Sequence, residues 1–293
     1  MNNVDLAFDK FRSRLETTDT ENKAASSRQQ KIRAQLDESE LDIQDDFLTG
    51  SYRRETKTKP LRDVDIMIVL GDRGYLDEHP RRILDDVAAA LTPHYGASRV
   101  TLDRRSVRVD FGITAVDDLA DDVMSFDVVP AFTEHDGYLI PDDRLGTWIR
   151  TNPKIHAEKA TAANKAYSNK WKPLVKMIKK WNSHNENPVD PSFLVETMAL
   201  DILRGEWFGP DSYELRMFFS TAALRIPENW PDPAGVGPSV DDEMDRAHKS
   251  LAIAALLEAE KSCTRAIQLE RGGNSGGAIA EWRTLFGPLF PAP

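Results

Sequence analysis

The chain has 293 residues, 40% of them hydrophobic, which is enough for one large domain or two modest ones with a buried core. A net charge of −10 sets it against a phosphate polymer, so no obligate DNA or RNA partner is expected. No stretch reaches the roughly 18 uncharged apolar residues of a membrane span and the polar start MNNVDLAFDK lacks a signal-peptide core, so a cytoplasmic protein with no membrane partner is expected.

Residues 4 to about 40 are patterned as charged helix, with Thr18-x-x-Glu21 as a capping box that opens a long helix through Leu36. The period then changes. Phe47 to Ser51 reads as a short strand running into a turn, and Asp63 to Leu70 as a largely buried strand. A helix is expected over about 80–92, then strands at Ser106–Thr114 and Met124–Phe132. Residues 1–150 thus read as an α+β lobe around a small mixed sheet, with an N-terminal spine helix. Residues 151–293 read as a helical lobe, broken by the loop Ile226–Val240 with its four prolines. Within it, Lys154 to Lys180 holds eight lysines against one acid, Glu158, which suits either a solvated helix face or a surface for polyphosphate. Cys263 is the single cysteine, so no internal disulfide forms, and its place in the run SLAIAALLEAEKSCTRAIQ reads as a buried, inert thiol. Gly272 to Gly277 is glycine-rich, but no strand precedes it and no Gly-Lys-Ser/Thr closes it, so it reads as a linker between two terminal helices.

The chemistry concentrates in the first lobe. Side chains alternate along a strand, so Asp63 and Asp65 project from one side as a carboxylate pair. Among Val, Ile, Met and Leu such a pair would repel and lose hydration, and a hard divalent cation is the simplest remedy. Magnesium fits, because it takes oxygen ligands and is held by one or two carboxylates together with substrate phosphates. Gly50-Ser51 supplies a turn whose backbone amides and hydroxyl can donate to phosphate oxygens. Asp127, in Phe126-Asp127-Val128-Val129-Pro130, is the candidate third acid for a two-metal site. Asp110 competes for that role, but beside Arg108 and near a strand end it takes a structural reading. Each acid by itself could equally cap a turn or solubilise a strand edge.

Taken together, Leu48-Thr49-Gly50-Ser51, Asp63-x-Asp65 and Asp127-Val128-Val129-Pro130 resemble the polymerase-beta-like nucleotidyltransferases, specifically the bacterial cGAS/DncV-like enzymes (CD-NTases). The resemblance extends over most of the chain. Leu174-Val175-Lys176-Met177-Ile178-Lys179-Lys180-Trp181 resembles that family's spine helix, which implies that Lys179 contacts the donor triphosphate. Helical geometry puts Leu174, Ile178 and Trp181 on one face with Trp171, Lys172, Lys176 and Lys180 on the opposite, solvated side, and Lys179 at the boundary with its ammonium at a cleft rim. Ser192-Phe193-x-x-Glu196 matches the family's Ser-Tyr pair and following glutamate, implying that Ser192 meets a phosphate and Phe193 stacks on the donor base without a hydroxyl contact. A second departure is Glu55-Thr56, where family members often have Gly-Thr.

The resemblance implies a nucleotidyltransferase lobe and an oligoadenylate-synthase-like helical lobe, with the active site in the cleft between them. It implies ATP and other nucleoside triphosphates as substrates, and two magnesium ions on Asp63, Asp65 and Asp127, manganese being an alternative. The expected product is a cyclic di- or trinucleotide second messenger of antiphage (CBASS-type) signalling; a linear oligonucleotide synthase and a catalytically silent nucleotide-binding module are the rival readings. A regulatory protein partner is left open, a monomer is expected, and one cysteine with six scattered histidines implies no structural zinc and no DNA requirement.

Overall fold

In the computed structural model, residues 3–113 and 123–293 are described. The end of the expected strand at Thr114 therefore lies outside the described residues. The chain divides into two compact units: a sheet unit of Thr17–Ala157 with Ala234–Pro238, and a helical unit of Met1–Glu16, Glu158–Pro233 and Ser239–Pro293. Among the described residues no helix is long and apolar enough to cross a membrane.

In the sheet unit, helix α2 (Asp19–Asp37) starts at the Thr18 capping box. The Thr18 hydroxyl accepts from the Glu21 amide at 3.1 Å, and the Glu21 carboxylate accepts from the Thr18 amide at 2.8 Å, so two otherwise orphaned donors are satisfied. Strand β1 (Ile43–Leu48) leads into the short helix α3 (Gly50–Arg54), then β2 (Val64–Leu70), α4 (Arg81–Tyr95), β3 (Val100–Leu102), β4 (Val107–Asp110), β5 (Ser125–Glu134), β6 (Gly137–Asp142) and β7 (Thr147–Thr151). Three features differ from the sequence expectation: Gly50-Ser51 opens a helical turn, the short strand β3 pairs with β4, and the hairpin of β6 and β7 adds two further strands. The sheet order is β1-β2-β5-β4-β3, with β6 on β5 and β7 on β6; β2 and β5 run parallel and the other pairs antiparallel.

Alternation gives the sheet two unlike faces. Val64, Ile66, Ile68, Val107, Val109, Phe126, Val128 and Phe132 pack in one core with Ile83, Leu84, Val87 and Leu91 of α4 and Ala25, Ile32 and Leu36 of α2. The intervening positions face the other way, where the buried cluster is only Met67, Ala131 and Ile140. Asp65, Asp127 and Arg108 belong to this thinly covered face.

The helical unit contains α1 (Asn3–Leu15), most of α5 (Pro153–Ala166), then α6 (Trp171–His184), α7 (Ser192–Ile202), α8 (Asp211–Arg225), α9 (Arg246–Arg271) and α10 (Ser275–Phe286). Its core joins the two ends of the chain: Phe8 packs on Trp282 at 5.0 Å and on Phe290 at 5.2 Å, and Phe11 on Phe286 at 4.9 Å between ring centroids. Gly272 to Asn274 forms the short joint between α9 and α10.

Candidate active site

The register of two parallel strands builds the site. Asp65 on β2 lies directly across from Asp127 on β5, and Arg108 on β4 lies across from Asp127 on the other side, so the three occupy one row on one face. Asp63 stands one residue ahead of β2 with φ +49°. Strand alternation, from which its side was read, therefore does not reach it; its carboxylate is instead placed by Ser125, whose hydroxyl donates to Oδ1 at 2.8 Å and accepts from the Asp63 amide at 3.2 Å. The Arg108 guanidinium bridges two of the acids, with Nη2 2.6 Å from Asp63 Oδ1 and Nε 3.2 Å from Asp127 Oδ1.

Gly50 meets the acids from the β1–α3 junction. The Thr49 amide donates to the Asp65 carbonyl at 2.9 Å, which draws the start of α3 against β2. Gly50 has φ +56°, and a Cβ there would overlap the Asp65 carboxylate at Oδ2 and Cγ. Only glycine suits both the left-handed backbone and the close approach. Helix α3 has no side-chain cap from Thr49, and the Ser51 carbonyl accepts from the Thr56 and Lys57 amides at 3.0 and 3.2 Å, closing the turn. Glu55 ends the helix in the left-handed region, φ 59°, a position that glycine fills without strain.

Burial pushes the Asp127 carboxyl above the usual aspartate range, and Arg108 partly opposes the shift. For Arg108, burial works against the charge, yet Asp127 and Asp63 outweigh it and raise its proton affinity. The donor set suits a hard cation: it offers oxygen ligands only, and the missing Gly50 side chain lets the Asp65 carboxylate lie against the β1–α3 turn. Among the described residues no three Asp, Glu, His or Cys side chains already stand as a ready metal cage; two of these acids are engaged by Arg108. Asp110 accepts from the Gly112 amide at 2.6 Å, a turn-capping contact. Arg108 and Ser125 are the site residues that sequence reading missed. Alternation in Val107-Arg108-Val109 could have placed Arg108 on the polar face, but not opposite Asp127.

The remaining sequence candidates lie in the helical unit. Lys179 donates to the Glu196 carboxylate at 2.9 Å, with the two side chains 10% and 1% exposed. Its ammonium is thus anchored by a buried acid and does not stand free at a rim. Trp171, Leu174, Ile178 and Trp181 are buried together, but so are Lys176 and Lys180, contrary to a solvated lysine face. The reason is that α6 is packed by α1, α7, α8 and α10; Lys176 accordingly donates to Glu16 at 2.6 Å. Ser192, exposed, and Phe193, partly buried against the helical core, form the first turn of α7.

The sequence model of the Second Messenger Oligonucleotide or Dinucleotide Synthetase domain matches residues 1–164. The chain is 27% identical over 280 residues to a probable cyclic nucleotide synthase of Bacillus cereus, covering 83% of this chain and 81% of that protein. It is 27% identical over 263 residues to a cyclic AMP-AMP-AMP synthase of an Acinetobacter strain, covering 84% and 72%. The fold is shared with Escherichia coli CdnC, solved in complex with a HORMA protein, at a TM-score of 0.69, 17% identity and 98% coverage of both chains.

Proposed function

Because the chain belongs to the family of Second Messenger Oligonucleotide or Dinucleotide Synthetase domains, and so is a metal-dependent, bacterial cGAS/DncV-like nucleotidyltransferase that makes a cyclic oligonucleotide, we propose that Asp63, Asp65 and Asp127 are its catalytic acids. We further propose ATP among its substrates, a cyclic di- or trinucleotide as its product, and antiphage signalling as its setting. The observation that carries the residue assignment is the register of Asp65 against Asp127, with Asp63 linked to Asp127 through one guanidinium.

In this reading Asp63, Asp65 and Asp127 would hold two magnesium ions, one of them carried in with the donor triphosphate, manganese serving as an alternative. The bound cations supply Lewis-acid polarisation of the acceptor hydroxyl and neutralise charge on the phosphates. Gly50 lets the backbone approach the donor phosphates, and the Ser51 amide and hydroxyl donate to them. Lys179, steadied by Glu196, adds a point charge on the triphosphate; Ser192 donates to a phosphate oxygen, and Phe193 stacks on the donor base. As the acceptor oxygen bonds to the α-phosphorus and pyrophosphate departs, the hydroxyl proton passes to the Asp127 carboxylate. A second round closes the ring. The sheet unit then serves as the catalytic core and the helical unit as the oligoadenylate-synthase-like lobe. A regulatory protein partner fits this reading, as CdnC was solved in complex with a HORMA protein.

The test is purified protein with radiolabelled ATP, GTP, CTP and UTP and either magnesium or manganese. A phosphatase-resistant product is expected, resistant also to an exonuclease that needs a free 3′ end, and lost in Asp63→Ala and Asp65→Ala. Exonuclease-sensitive product would mark a linear synthase, and product that survives both substitutions would refute the acid assignment.

A further inference from the structure

Arg108 has no part in that chemistry, yet it is the side chain most intimately engaged with the acids. It reaches them from a third strand and holds Oδ1 of both Asp63 and Asp127. Building on the reading of these acids as metal ligands, we propose that Arg108 is an internal counter-ion that competes with the divalent cation for Asp63 and Asp127. The affinity of the site for metal is then set by how readily the guanidinium gives up those two carboxylates.

Three observations give this inference its sign. First, the acids keep their places without Arg108. Asp63 is fixed by two hydrogen bonds to Ser125; Asp127 sits inside β5, paired on both sides by β2 and β4; Asp65 lies in β2 beside Gly50. Removing the guanidinium therefore removes positive charge, not order. Second, the Arg108–Asp63 contact lies open to solvent, with side-chain exposures of 41% and 51%, while the contact to Asp127, which is 15% exposed, is the longer one at 3.2 Å, so the guanidinium can leave Asp63 at little cost. Third, the same unit contains a contrasting cluster of one acid and two arginines built for permanence. Asp142 is fully buried under Arg104, which is 10% exposed, and Arg105. A guanidinium that merely stabilised the fold would resemble that arrangement. At the acid site, a single charge beside a dication in a largely aqueous dielectric alters binding by roughly tenfold.

The experiment measures manganese binding to the full chain, without nucleotide, by the electron paramagnetic resonance signal of the free ion. Arg108→Gln should bind manganese about tenfold more tightly than wild type. Arg108→Lys, which keeps the charge but cannot bridge two carboxylates as a planar fork, should fall between, and it carries the test by itself if the glutamine variant does not fold. Unchanged or weaker binding in the folded variants would overturn the proposal and make Arg108 a positioning residue or a surface ion pair. Asp65→Asn separates this outcome from failure of the underlying reading: it should abolish manganese binding, and if binding persists the acids are not the metal site.

Discussion

At Gly50 the demands of backbone and chemistry coincide. The residue has a left-handed φ, and its missing side chain is what allows the Asp65 carboxylate to stand against the β1–α3 turn. Gly50→Ala should therefore lower product formation by about 100-fold, the order expected when a reacting group is misplaced by about an ångström, while costing only about 1–2 kcal/mol of stability. Steady-state turnover beside thermal melting separates the two, and a variant with wild-type turnover would remove Gly50 from the site. Cys263 illustrates a residue whose role was readable from pattern alone. It is fully buried in α9, and desolvation raises its thiol well above the usual range, which suppresses the reactive thiolate. A thiol reagent such as DTNB should leave the native protein unmodified and titrate one thiol only after denaturation. Stoichiometric labelling of the folded chain would contradict that burial.

Among the elements, the hairpin of β6 and β7 was the least legible. Its sequence, Gly137 to Thr151, mixes charges, a proline and isolated apolar residues, so neither period stands out. Its anchor is long-range: Asp142 accepts from Arg104 Nε at 2.8 Å, Arg105 Nε at 3.0 Å and the Leu145 amide at 3.0 Å, tying the hairpin to the β3–β4 turn. Burial by itself would raise the Asp142 carboxyl, but the hydrogen bonds from Arg104, Leu145 and Arg105 overcome it and hold the group below its ordinary value of 3.8. A carboxylate whose pKa is depressed in the folded state adds stability that is fully present above the unfolded-state value and is lost as pH falls through the folded-state value. Asp142→Asn should thus cost about 3–5 kcal/mol near neutral pH, because two guanidinium groups lose their shared counter-charge. Denaturant unfolding of both proteins should show the gap narrowing below about pH 4; a gap independent of pH would mean that the charge on Asp142 is not what stabilises the hairpin.

The helical unit draws together segments from both ends of the chain. Helix α1 is amphipathic and, read locally, belongs to the charged helical stretch of residues 4 to about 40; in the fold its Phe8 and Phe11 complete an aromatic core with Trp282, Phe286 and Phe290. Phe11 is completely buried, so Phe11→Ala should destabilise this unit by about 3–5 kcal/mol. Chemical denaturation followed by tryptophan fluorescence reports on it directly, since Trp171, Trp181 and Trp282 all lie in the same core. A loss below about 1 kcal/mol would show that the helices close without α1.

Local physics was enough for much of this protein. Capping chemistry at Thr18, apolar periodicity in β2 and β5, and carboxylates set among aliphatic strand residues are properties of short stretches, so the sequence alone determined the α+β class and the candidate acids, and the resemblance of its motifs implied the family. Three matters were decided only by the tertiary structure, each because it depends on which distant segments meet. Parallel pairing of β2 with β5 puts Asp65 across from Asp127; the arrival of β4 sets Arg108 over two acids; and packing by four other helices buries Lys176 and Lys180 of α6, which helical geometry had assigned to solvent. Register and burial belong to pairs of segments, and no single segment encodes them.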